Sequence, residues 1–540
     1  MNRRTWRRTH GSRAAAIGLA LILLSLLLAG QASAASKTWD GGCGVDTSWS
    51  CAGNWSDNVI PAAGSTVTFN ATSTHDSTVD AGFAGAIASI RVAAGYTGTI
   101  SMARSLTVSN TFSQAAGTFT AGNQTLAIAA FTLSGGSFTA SSDTTSVSKA
   151  MTISGSPSFF ANGGTVNFNG TAKAILRCGG VSFNRVAFTH SAGIKTVGGD
   201  CSLPLGNDPN ANGGGSIVLN GALSGSGTLA ASGTLTLGSG GSLSGLSALT
   251  ASKLTVEGDY DFSSYSSFTV AGNFVLGAGA SFTAPSGIAS FGAGFTLAAG
   301  SAFASSGGTI DFNGKTSATL SCGGASFHLV TFTHAAGRKT VGGSCAFPLG
   351  NDPTLGAGSG ASVAVNGTLS GVGTLTAQQA LALNGTAQLS GFSGLAANGE
   401  LVIAGASIDF GSYGLFSVSG SYKQTGGDVS IPGGASFTGA FALGSDANFN
   451  APSGTASFAN RFTIGPEVTF HANGGAIRFV GSASRAISCG NALFNSIALA
   501  QTAGTTTVGS SCSLPLGNDP NANGGGSIVL NGALSGSGTL

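Results

Sequence analysis

Beyond its first thirty or so residues, the chain alternates apolar and polar positions in short bursts. Phe131-Thr132-Leu133, Leu235-Thr236-Leu237 and Phe274-Val275-Leu276 are examples. Alternation with period two is the signature of a β-strand with one face buried. The bursts return about one coil later: Met151-Thr152-Ile153 follows the first, Leu254-Thr255-Val256 the second, and Phe295-Thr296-Leu297 the third. Clusters of Gly, Ser and Asn separate them, as turns require. No amphipathic helical pattern of useful length occurs in this region. Short strands at a spacing of about 20 residues predict stacked coils.

A larger repeat is superimposed on the coil. Cys178 and Cys201, Cys322 and Cys345, and Cys489 and Cys512 form three pairs, each 23 residues apart. GGTVNFNG from Gly163 returns as GGTIDFNG from Gly307 and as GGAIRFVG from Gly474. The first two copies are offset by 144 residues and the last two by 167. The additional length lies near Ser421–Thr438 and matches one coil. A stack absorbs a whole extra coil without losing register, whereas a sandwich does not. The predicted fold is therefore all-β, a right-handed parallel β-helix (β-solenoid). Tandem β-sandwich modules are the alternative.

Residues 1–34 read as a secretory signal peptide. Arg3, Arg4, Arg7, Arg8 and Arg13 precede an apolar run from Ala14 to Leu28, and Ala32-Ser33-Ala34 supplies the small-residue cleavage site. The apolar run is shorter than the roughly 20 residues of a membrane span. No second run of spanning length appears, so no membrane span is expected in the mature chain. Residues 35–63 hold Trp39, Trp49 and Trp55 together with Cys43 and Cys51, and are expected to cover the first coil. An aromatic glycan-binding patch is the alternative for this segment. Residues 64–540 form the solenoid. The segment Cys201–Leu229 returns unchanged as Cys512–Leu540, where the chain stops inside a repeat, so further sequence is expected beyond Leu540.

Composition narrows the function classes. Only 7% of residues are charged, and 89 are Gly. Of the 21 Lys and Arg, five precede residue 35, leaving the remainder slightly acidic. There is no basic stripe for nucleic acid. A hydrophobic content of 42% with 33 Phe argues for a packed core over disorder.

Eight cysteines in an exported chain predict disulfides. Residues one coil apart in register fall within disulfide reach, because stacked strands lie about 4.8 Å apart. The three spaced pairs therefore join internally, leaving Cys43 with Cys51. The pairs lack the CxxC or neighbouring His of a zinc site, so no metal is expected. No cofactor is expected either, since the Gly-rich stretches lack the Lys and helix of a phosphate loop. Asp208, Asp352 and Asp519 recur within LGNDP. Asp before Pro favours a turn, and the calcium-loop pattern begun at Asp208 lacks a Glu at Leu219. His190 and His334 are equivalent and Gln501 takes the third place, which is read as an exposed strand position. Asn54-Trp55-Ser56 forms a glycosylation sequon.

The opening TWDGG…SWS…NWSDNVIPAAGSTVTFN, Thr38 to Asn70, resembles the start of many bacterial exported surface proteins. The strings GGSFTA, GGTVNFNG and LNGALSGSGTL resemble repeats of bacterial adhesin-like and autotransporter-passenger-like β-helix proteins. The resemblance implies a β-solenoid on or outside the cell, with no catalytic residues to transfer. The paired cysteines depart from such repeats, which are usually cysteine-poor. The expected function is a non-catalytic secreted or cell-surface scaffold, adhesin-like, with glycans or other surface components as partners. A carbohydrate-active or glycan-binding β-helix protein is the alternative.

Overall fold

The computed structural model describes residues 35–518, 521 and 525–539. Residues 1–34, expected to be a signal peptide, and Asp519 lie outside them. The chain is an all-β parallel solenoid of about 22 turns. Among the described residues the only helical element is a 3-10 turn at Ala52–Asn54. Contacts divide it into two units, one running to Gly193 with Asp200–Pro204, the other comprising Ile194–Gly199 and Leu205 onward.

In the first unit each coil carries three strands, one per face. On one face Thr66–Phe69 pairs with Ser89–Val92, which pairs with Thr111–Gln114, and so on through Phe131–Leu133 to Met151–Ile153. The second face stacks Ser77–Val79, Thr99–Met102, Thr118–Thr120, Ser137–Thr139 and Ser158–Phe160. The third ends in Thr144–Val147, Thr165–Phe168 and Arg185–Phe188. Every one of these pairings is parallel, as it must be when successive coils run the same way round.

The second unit repeats this plan. The register anticipated from sequence is observed: Met151 lies over Phe131, Leu254 over Leu235, and Phe295 over Phe274. The extra length before the third cysteine pair is one coil. Leu254–Val256 pairs directly with Phe274–Leu276, but their equivalents, Leu401–Ile403 and Phe441–Leu443, are separated by Tyr422–Gln424.

Alternation directs every second side chain inward. Phe119, Phe138 and Phe159 form one ladder, with near-parallel rings 5.3 and 5.8 Å apart. Tyr422, Phe441 and Phe462 form another at 5.0 and 5.1 Å. Burying each fully enclosed ring stabilises the coil by about 1.5–3 kcal/mol, and the half-buried Phe159 contributes less. Glycine is needed where corners stack backbone on backbone. A Cβ at Gly314 would lie 1.8 Å from the carbonyl oxygen of Gly292.

The inserted coil makes a direct test possible. Deleting residues 421–439 joins Gly420 to Ala440 and recreates the Gly272-Asn273-Phe274 junction. The shortened protein should fold and melt cooperatively within a few degrees of the parent. Deleting half as many residues leaves half a coil, which cannot stack strand on equivalent strand, and should prevent folding, as circular dichroism would read.

Candidate functional site

All eight cysteines are paired. Cys43 joins Cys51, and Cys178–Cys201, Cys322–Cys345 and Cys489–Cys512 each close one coil. The three spaced pairs have Cα–Cα distances of 4.9, 4.9 and 5.0 Å, which is the strand spacing itself. All six of these cysteines are buried, so they cross-link neighbouring coils from inside the core.

Asp208 and Asp352 of the LGNDP strings are turn residues. Both adopt positive φ, and Asn and Asp tolerate that region better than other side chains. Asp208 Oδ1 accepts the Thr228 N–H at 2.8 Å, and Asp352 Oδ1 accepts the Thr374 N–H at 2.7 Å, each on the next coil. Other acids act similarly. Asp40, Asp46, Asp57, Asp80, Asp261 and Asp409 each accept a backbone N–H two residues on.

His190, His334 and Gln501 are not exposed. All three are fully buried, which corrects the sequence expectation. Val330, Phe332 and His334 follow strict alternation, so the imidazole points inward with them. His334 Nε2 bonds to the Ser362 carbonyl at 3.1 Å, and Gln501 Nε2 donates to the equivalent Ser527 carbonyl at 3.4 Å. Five residues on, Lys195, Lys339 and Thr506 are also buried. Lys339 Nζ donates to the carbonyls of Gly292 and Thr316, at 2.9 and 2.8 Å. Burial lowers its pKa. In the third copy the cation has moved across the rung. Ala318 pairs with Lys339, but Arg485 pairs with Thr506, and Arg485 donates to the Phe458 carbonyl at 3.0 Å.

The three tryptophans are fully buried: Trp55 meets Trp39, Trp49 and Phe69 edge to face, and Trp49 meets Phe83 the same way. Each indole N–H is bonded within the segment or to its neighbours. Their rings are therefore not a surface platform for sugars. Asn54 of the sequon is buried too, bonded to the Cys43 N–H and to the carbonyls of Asp46 and Ser48.

One concavity was not anticipated. On the second copy, His328, Leu329, Pro348, Asn351, Ser370 and Val372 line an open groove of about 470 Å³. The available signal was the string Gly371-Val372-Gly373, which reads Gly-Ser-Gly at Ser226 and Ser537.

Two outcomes follow. Replacing Cys322 and Cys345 by Ser should cost about 3 kcal/mol of local stability in denaturant titration. His334 is held below its ordinary pKa of 6.5, mainly by burial and also by Lys339. The unfolded chain then binds the proton first as pH falls, so this contribution is intact above 6.5 and lost below it. His334→Gln should flatten the fall in melting temperature between pH 7.5 and 5, relative to the parent, in calorimetry.

The chain matches no protein-family model, no curated protein and no solved structure.

Proposed function

We propose that this chain is a non-catalytic, exported repeat scaffold displayed on or outside a bacterial cell, adhesin-like in role. The observation that carries this reading is the set of buried one-coil disulfides, repeated in all three copies. Such bonds form in oxidising compartments and stabilise each repeat independently of its neighbours. No helix of the described residues is long and apolar enough to cross a membrane. The sequence supports export through its basic, apolar and small-residue leader.

Eight of the 19 acids support this reading over an enzyme. A glycoside hydrolase on this fold needs two carboxylates converging on one bond. Here Asp208, Asp352 and the six aspartates of the two-residue turns hold backbone amides instead. Interaction would then come from the outward-facing polar residues and their grooves, with glycans or other surface components as partners.

Antibody raised against residues 64–518 should label intact cells that produce the protein, and thiol alkylation without reductant should modify none of its cysteines. Retention in the cytoplasm with reduced cysteines, or depolymerisation of a polysaccharide by the purified protein, would overturn the reading.

A further inference from the structure

The three copies act as internal controls for one another, and the groove on the second copy is where they differ. At one wall the first and third copies carry Asn184 and Asn495. Asn184 Nδ2 donates to the Gly163 carbonyl at 2.7 Å, and Asn495 Nδ2 to the Gly474 carbonyl at 2.8 Å. Both carboxamides are thereby tied back to the preceding coil. In the second copy His328 takes this position, and its exposed imidazole makes no such bond.

The facing side shows the same change. In the first copy the Ser226 hydroxyl bonds to Asn207 Oδ1, and in the third the Ser537 hydroxyl bonds to Asn518 Oδ1. In the second copy the equivalent of Ser226 is Val372, which sits in register with Asn351 and cannot donate. The Asn351 carboxamide is left exposed, with no side-chain bond among the described residues. Val372 is 62% exposed, an apolar side chain held in water. Two independent substitutions thus release polar groups into one concavity, while the other copies keep both closed.

We propose that this groove binds a neutral saccharide chain, which deepens the adhesin-like reading and rests on it. Its lining includes no carboxylate, ammonium or guanidinium, so charge selects neither an acidic nor a basic ligand. The lining combines imidazole, carboxamide and hydroxyl groups with the apolar surfaces of Pro348 and Val372. Sugars carry the matching surfaces, an apolar C–H face and a hydroxyl edge. Its volume falls within the roughly 300–1,000 Å³ of small-molecule sites. Pro348, Ser370 and Ser390 lie on successive coils in one register column, an apolar ring followed by two hydroxyls at a spacing of about 4.8 Å along the groove. A linear glycan laid along the column would set one sugar's C–H face on Pro348 and meet a hydroxyl at each of the next two coils.

The test is calorimetric titration of the full-length mature protein with cellohexaose, xylohexaose, mannohexaose and, as the charged arm, hexagalacturonic acid. At least one neutral hexasaccharide should bind, one per chain. Val372→Ser restores the bond seen in the other copies and should weaken binding about tenfold. His328→Asn should weaken it similarly, and both variants should keep the parent melting temperature. Silence of all three neutral probes at millimolar concentration, binding of the acidic probe alone, or affinity unchanged in both variants would overturn the site. If intact cells were still labelled by antibody, this site would fall and the surface reading would stand.

Discussion

Everything in this protein depends on parallel register at the spacing of a single coil. Each residue lies about 4.8 Å from its equivalent above and below, so a side chain must be compatible with its own neighbours in the column. Apolar rings meet this condition by stacking, as Phe119, Phe138 and Phe159 do. Cysteines meet it by bonding, because the strand spacing is itself a disulfide span. Aspartates meet it by turning the chain and holding an amide of the next coil. The same constraint permits a whole coil to be inserted, as at Tyr422–Gln424, and penalises any partial one.

Corners are where this economy is hardest to satisfy, since backbone groups there leave the ladder. The chain answers with buried donors. Gln114 donates to the carbonyls of Gly117 and Ser137, and Gln424 to those of Gly427 and Asn448. Lys339 does the same with a cation, and Arg485 replaces it from the neighbouring coil in the third copy. The donor, its strand and the carbonyl it reaches all change between the copies, while a buried cation is kept at this level of the stack. Each such bond satisfies a buried carbonyl, which matters because an unpaired buried polar group costs more than the bond itself contributes.

Much of this was legible from sequence because the core is written with period two and the coil with nearly constant length. Phe131 and Met151, or Leu235 and Leu254, could be paired by inspection, and the cysteine spacing placed its own bridges. His334 was misread for a physical reason. Its polarity suggests exposure, but its place in the alternation Val330, Phe332, His334 sets it inward, where the Ser362 carbonyl provides a partner. The groove was hidden for a different reason. Val372 and His328 are far apart in sequence, and only coil stacking brings the two substitutions to one surface.

The identity of Cys201–Leu229 with Cys512–Leu540 has a genetic consequence. Identical stretches are where misaligned copies of a gene exchange strands, and here each stretch begins at the same cysteine of the same coil. A crossover between them would delete or duplicate whole repeats while leaving every remaining strand on its proper face and every cysteine with a partner. Length variants of this protein would then arise as folded molecules, so that selection could act on repeat number directly.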